Sequence, residues 1–225
     1  MNPLKPDQIG PPLRRLADAL PPGPAPVIAL LLLAALWFWG AWFPAMPFVS
    51  LAAALVLALR WRFFRMDVPP YGEPVLALFC RAFLQILGLM ILCNLAVRLV
   101  AFCIHVDLPL PSQTTLDRWT AADSPLARLV LAGTIFLAAP FIEETFFRGL
   151  LLPLLARVLP PVAALLLSAL LFGLLHGPAL FPAMTAYAIV LSLLRLRTPT
   201  LLPCILLHTL WNALILLLTL AASLR

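Results

Sequence analysis

Long apolar runs separated by short polar breaks organise this chain. The runs cover about 27–43, 48–59, 74–104, 124–159, 161–176, 179–194 and 199–220. They are continuous blocks of Leu, Ala, Val and Phe, not ten-residue segments of alternating polarity, so they predict helices and not barrel strands. The breaks are Pro44 with Pro47, the basic cluster 60–65 with Pro69, Pro70 and Glu73 after it, and the polar stretch 105–125. Further along come Pro160 with Pro161, Gly177 with Pro178, and Arg195 with Arg197. The pattern predicts an all-α, polytopic membrane helix bundle of about seven (six to eight) transmembrane helices. Residues 1–26 read as a polar N-terminal arm, and 27–225 as a single transmembrane helical domain. The run 124–159 is too long for one straight span, and Gly149 and Pro153 offer places to bend or end it.

Composition narrows the class further. Of 225 residues, 64% are hydrophobic and 11% charged, and the mean hydropathy is +1.06. Soluble domains carry about 25% charged residues, and a soluble fold could not cover so much apolar surface with so few polar groups. A soluble enzyme, a disordered chain and a secreted disulfide scaffold are therefore excluded. The formal charge is +6, from 15 Lys and Arg against 9 Asp and Glu. Most arginines stand at the ends of apolar runs, where positive charge marks the cytoplasmic side, so the charge is not read as a nucleic-acid footprint. Placing the arm, the 60–65 cluster, Arg148, Arg157, Arg195 and Arg197 inside puts the N-terminus in the cytoplasm and the C-terminus outside. Arginine almost completely replaces lysine, Lys5 being the one exception. That usage suggests a GC-rich bacterial genome and hence the bacterial inner membrane. No apolar stretch precedes the Ala17-Asp18-Ala19 tripeptide, so the run from Val27 is expected to be a signal anchor and not a cleaved leader. Cys80, Cys93, Cys103 and Cys204 lack any CxxC spacing and read as buried small hydrophobes.

In so apolar a chain an ionisable residue inside a span is costly and becomes a functional candidate. Three sites qualify. In 140–149, Glu144 and Arg148 are spaced i, i+4 in the favourable acid-before-base order. Glu143 points about 100° away on a helix, so Arg148 can neutralise Glu144 while Glu143 stays available. Phe172 and His176 end the fifth run, and His208 and Asn212 share one face in the middle of the last. A lone histidine at a helix end is ordinarily a cap, and an acid–base pair is often structural. Together, however, the groups would furnish two carboxylates, two imidazoles and a carboxamide. Glutamate beside water can act as general base and then protonate a leaving amine, and His or Asn can donate to an oxyanion. Neither Ser168 nor Ser192 sits in an evident triad pattern. Two His and a Glu could alternatively hold Zn²⁺, although the HExxH spacing is absent.

Glu143-Glu144-x-x-x-Arg148, Phe172-x-x-x-His176 and His208-x-x-x-Asn212, in that order and each on an apolar helix, resemble the CPBP family of intramembrane proteases. That family includes the CAAX prenyl endopeptidases and bacteriocin-processing homologues. The likeness covers about 125–220, the expected catalytic core, and residues 1–124 carry no signature of it. The resemblance implies Glu143 as the base that activates water, assisted by His176. It implies His208 and Asn212 as the oxyanion-stabilising pair. Glu144, Arg148 and Phe172 would be supporting. It implies a glutamic mechanism with no cofactor, Zn²⁺ chemistry being the alternative. The expected partners are the lipid bilayer and a peptide or protein substrate, such as a lipidated or C-terminal anchor peptide, with no nucleic acid. The competing reading is a non-catalytic immunity factor, scaffold or small transporter, whose polar residues merely order the bundle.

Overall fold

The computed structural model describes residues 6–40, 46–60, 73–106, 118–119 and 121–223. Lys5, Pro44, the 61–65 part of the basic cluster, Asp107 and Asp117 lie outside the described residues.

Every apolar run becomes a helix. In chain order these are α1 (Pro6–Ala19), α2 (Ala25–Gly40), α3 (Met46–Arg60) and α4 (Val75–Cys103). A composite helix follows, made of α5 (Pro125–Gly133), a π-helical segment π1 (Thr134–Ala138), α6 (Ala139–Glu144), a second π segment π2 (Thr145–Leu151) and α7 (Leu152–Ala156). The chain ends with α8 (Pro161–Leu175), α9 (Phe181–Arg197) and α10 (Leu202–Ser223). Among the described residues, Val75–Cys103, Pro125–Ala156 and Leu202–Ala221 are long and apolar enough to cross a membrane, and Ala25–Leu36, Pro47–Leu57 and Pro161–Leu175 are shorter apolar helices. Large apolar side chains such as Leu32, Leu92 and Leu217 stay exposed, as they do on a helix bundle whose solvent is lipid. The chain is an all-α membrane helix bundle.

Local chemistry explains the boundaries. Ser124 caps α5, its Oγ accepting from the Ala127 N–H at 3.1 Å, and Pro125 takes the first turn, where no N–H partner is needed. Pro161 likewise takes the first turn of α8, which has Pro160 at its N-cap and no side-chain cap. At its other end Gly177 adopts φ +82°, a left-handed conformation that closes the helix.

Two compact units share the chain: Met1–Asp18, Met66–Pro111 and Leu152–Pro199 make the first, and Ala19–Arg65, Ser112–Leu151 and Thr200–Arg225 the second. In the first, α9 packs on both α8 and α4. Gly173 of α8 allows this: a Cβ there would lie 2.8 Å from the Phe181 carbonyl oxygen and collide with the Thr185 hydroxyl. Small residues permit such close helix approach where apolar burial gives no driving force. The N-terminal arm is more than a polar tail. Its helix α1 buries Ile9, Leu13 and Leu16 against Leu152, Ala164, Leu165 and Leu196, and Arg157 donates from both Nε and Nη2 to the Ala17 carbonyl (3.2 and 2.9 Å). Arg195, read from sequence as a topology charge, is buried and donates from Nη1 to the Thr198 carbonyl at 3.1 Å, capping its own helix. In the second unit, α2 pairs with α3, and α10 packs on π1 and α6.

Candidate active site

Pro140 decides the local shape of the helix that carries the acids. A proline inside a helix has no N–H and crowds the carbonyl four residues earlier, here that of Phe136. The chain answers by widening: the Ala139 N–H reaches back five residues to the Thr134 carbonyl, which makes π1. Two carbonyls then lose the donor that a regular α-helix would supply. Phe136 would be served there by residue 140, a proline. Ile135 would be served by residue 139, whose N–H is turned to Thr134, or by residue 140 again. Side chains of α10 take both places. Thr209 donates its hydroxyl to the Phe136 carbonyl, and Asn212 donates Nδ2–H to the Ile135 carbonyl, each at 2.9 Å. Such repair of freed backbone groups by a neighbouring helix is what an apolar medium demands, and π segments recur at functional sites. Sequence reasoning placed irregularity at Gly149 and Pro153. Gly149 does fall in π2 and Pro153 opens α7, but the irregularity at Pro140 was missed, as was Thr209.

The same pairing of helices presents His208 to the two acids. Glu144 and Arg148 are fully buried, and Arg148 Nη1 donates to Glu144 Oε1 at 3.1 Å. The i, i+4 pair thus forms although Arg148 lies in π2 and not in a regular α-helix. Arg148 also stands 5.8 Å from the centroid of the Phe147 ring, within cation–π range. The same Oε1 of Glu144 lies 2.9 Å from His208 Nδ1. A carboxylate can only accept, so it holds the Nδ1–H tautomer and turns Nε2 the other way. That nitrogen faces Glu143, with Nε2 and Oε2 3.9 Å apart. Glu143 is the more accessible acid, its side chain 14% exposed against 0% for Glu144. The Oε2 atoms of both glutamates are buried and make no hydrogen bond within the protein. The two carboxylates flank one imidazole from its two nitrogens.

Glu143, Glu144, Arg148, His208 and Asn212 all belong to the second unit, whereas Phe172 and His176 belong to the first. There His176 ends α8 with Nδ1 2.8 Å from the Phe172 carbonyl oxygen. A carbonyl accepts only, so Nδ1 carries the proton and Nε2 keeps its lone pair in the neutral ring. The buried Phe172 ring stacks on this imidazole with centroids 4.5 Å apart, and lies 6.0 Å from the Tyr187 ring on α9. His176 is thus the C-cap residue of α8, its imidazole oriented by the Phe172 carbonyl.

A metal would need donors that converge, and among the described residues no group of three His, Cys, Asp or Glu does so. Glu144 Oε1 is already shared by Arg148 and His208.

Residues 125–214 match the family model described as type II CAAX prenyl endopeptidase Rce1-like. No curated protein and no solved structure matches the chain.

Proposed function

We propose, from the match of residues 125–214 to the CAAX endopeptidase family model, that the chain is a CPBP/CAAX-type membrane protease and a glutamic-type intramembrane endopeptidase. Its substrate class is a membrane-associated peptide, lipidated or bearing a C-terminal anchor. One observation carries the reading: Glu144 is consumed by Arg148 and His208, which leaves Glu143 Oε2 without a hydrogen bond 3.9 Å from His208 Nε2. Two polar atoms so spaced can share one water at about 2.8 Å from each.

In the proposed reaction that water attacks the scissile carbonyl carbon while Glu143 takes its proton. The developing oxyanion accepts hydrogen bonds from protonated His208, through Nε2, and from the second Nδ2 proton of Asn212. Collapse of the tetrahedral adduct breaks the C–N bond, and Glu143 returns the proton to the leaving amine. The products are a carboxylic acid and an amine, and the carboxylate is regenerated. Glu144 accepts from His208 Nδ1–H and so orients Nε2 toward the reacting atoms, and Arg148 holds Glu144. For His176 we propose the assisting role that the Phe172-x-x-x-His176 motif implies. A glutamic mechanism is favoured over Zn²⁺ because Glu144 is already engaged by an arginine. We place the N-terminus in the cytoplasm and the protein in a bacterial inner membrane, on the arginine distribution and composition.

The test is cleavage of a prenylated peptide ending in a CAAX motif by purified protein in proteoliposomes. Glu143→Gln, nearly isosteric, is expected to lower kcat by about a hundredfold or more with thermal stability unchanged. Metal analysis of the active preparation is expected to find no stoichiometric zinc. Full cleavage by both Glu143→Gln and His208→Ala would leave only the non-catalytic reading.

A further inference from the structure

We propose that Thr209 is a positioning residue of the hydrolytic site, sharing the task with Asn212. Their bonds to the Phe136 and Ile135 carbonyls fix the helix about two turns before Glu143 and Glu144 against α10, the helix that carries His208. The proposal rests on the endopeptidase reading above.

Three facts converge on it. The carbonyls that lose their i+4 donors lie about two turns before the acids, and the cause is Pro140, only three residues from Glu143. The donors share the helix of the imidazole: Thr209 follows His208 directly, and Asn212 is one turn further. Between these bonds and the acids there is no loop to absorb a shift. α6 spans only Ala139–Glu144 and is bounded on both sides by π segments, whose bonding is alterable. The Ile135 side chain is also buried, in a cluster with Leu216 against which Trp119, Phe136, Ile215 and Leu220 pack. Without its donor from α10, the Phe136 carbonyl would have to be served by a re-registered π1. That would rotate the following turn, and with it the carboxylates, relative to His208. An error near 1 Å in such a site can cost about a hundredfold in rate, whereas substrate binding away from the acids is untouched. The defect belongs in kcat and not in KM.

Because the need for Thr209 originates in Pro140, the two residues must be coupled. Pro140→Ala restores an N–H at the position that serves Phe136 in a regular α-helix. The experiment measures kcat, KM and thermal unfolding in proteoliposomes for Thr209→Val, Thr209→Ser, Pro140→Ala and Pro140→Ala/Thr209→Val, with Glu143→Gln as reference and a prenylated CAAX peptide as substrate. Thr209→Val, equal in shape but without the hydroxyl, is expected to lower kcat about tenfold or more with KM nearly constant. Thr209→Ser restores it. In the Pro140→Ala background the further loss from Thr209→Val shrinks to about twofold or less, a non-additivity expected of residues that share one partner. Equal losses in the two backgrounds, or a wild-type kcat for Thr209→Val, overturn the proposal. Should Glu143→Gln match wild type, the endopeptidase reading fails instead. The coupling between Pro140 and Thr209 then still reads out in the unfolding temperatures, where additivity refutes the clamp and non-additivity leaves it as a structural device alone.

Discussion

Arg148→Met should destabilise the protein far more than it would if the arginine were only a surface counter-charge. Both partners of the pair are buried, at 1% and 0% exposure, and are joined at 3.1 Å. Truncating one member of a buried ion pair leaves an uncompensated charge and costs about 3–5 kcal/mol. Here the cost is reduced because Glu144 keeps His208 at 2.9 Å, a charge-assisted bond of about 1.5–3 kcal/mol, so the expected loss is nearer the lower bound, about 3 kcal/mol. For a chain of this size that corresponds to about 6–12 °C in Tm. Glu144→Gln/Arg148→Met removes the orphaned charge while keeping an acceptor for His208 Nδ1, and should recover about half of the loss or more. Recovery stays incomplete, since the stacking of Arg148 over Phe147 is gone in both variants. Thermal unfolding in one detergent, followed by near-UV circular dichroism, checks both values. A single variant within about 2 °C of wild type, or a double variant no more stable than the single one, would refute the argument that Arg148 acts through Glu144.

Two further predictions concern the first unit. Gly173→Ala should cost about 2–3 kcal/mol, because the added methyl meets the Phe181 carbonyl oxygen at 2.8 Å and the Thr185 amide nitrogen at 3.1 Å, backbone atoms that cannot rotate away; a Tm equal to wild type would show that α8 and α9 can separate freely. Arg157→Met removes both donors to the Ala17 carbonyl and should raise amide hydrogen exchange across Pro6–Ala19 while α9 exchange stays unchanged; uniform protection in α1 would mean that Leu13 and its neighbours hold the helix alone.

Helices were legible because their signal is long and one-dimensional. A run of about twenty apolar residues has few physical alternatives, and the caps at Ser124, Pro161 and Gly177 left ordinary marks. The Glu144–Arg148 bond was legible for the same reason, being a local spacing. Legibility ended where an interaction joins distant segments. The docking of α1 depends on Leu13 and Leu16 meeting Leu152 and Leu196, and a Pro-rich start with mixed charges obscured its amphipathic face. The contact of His208 with both glutamates spans more than sixty residues of sequence, and only the order of the three motifs hinted at it. Thr209 gave no hint, since a threonine in an apolar helix ordinarily bonds its own preceding carbonyl, as Thr219 does to Ile215 here.

That contrast between Thr209 and Thr219 shows how an apolar solvent turns a local flaw into a long-range constraint. In water, a helix broken by Pro140 could leave the Ile135 and Phe136 carbonyls to the solvent at little cost. In a bilayer each unsatisfied group costs several kcal/mol, so the break must be repaired by another helix at a fixed height and rotation. The repair falls on α10, and α10 bears His208. A proline beside the acids therefore does more than bend the chain. It obliges the helix with the imidazole to dock in the one register that satisfies both carbonyls, and in that register Nδ1 meets Glu144 and Nε2 faces Glu143. The backbone repair and the alignment of His208 with the two glutamates are then tied to one helix pairing, so a change that relieves the first is expected to loosen the second.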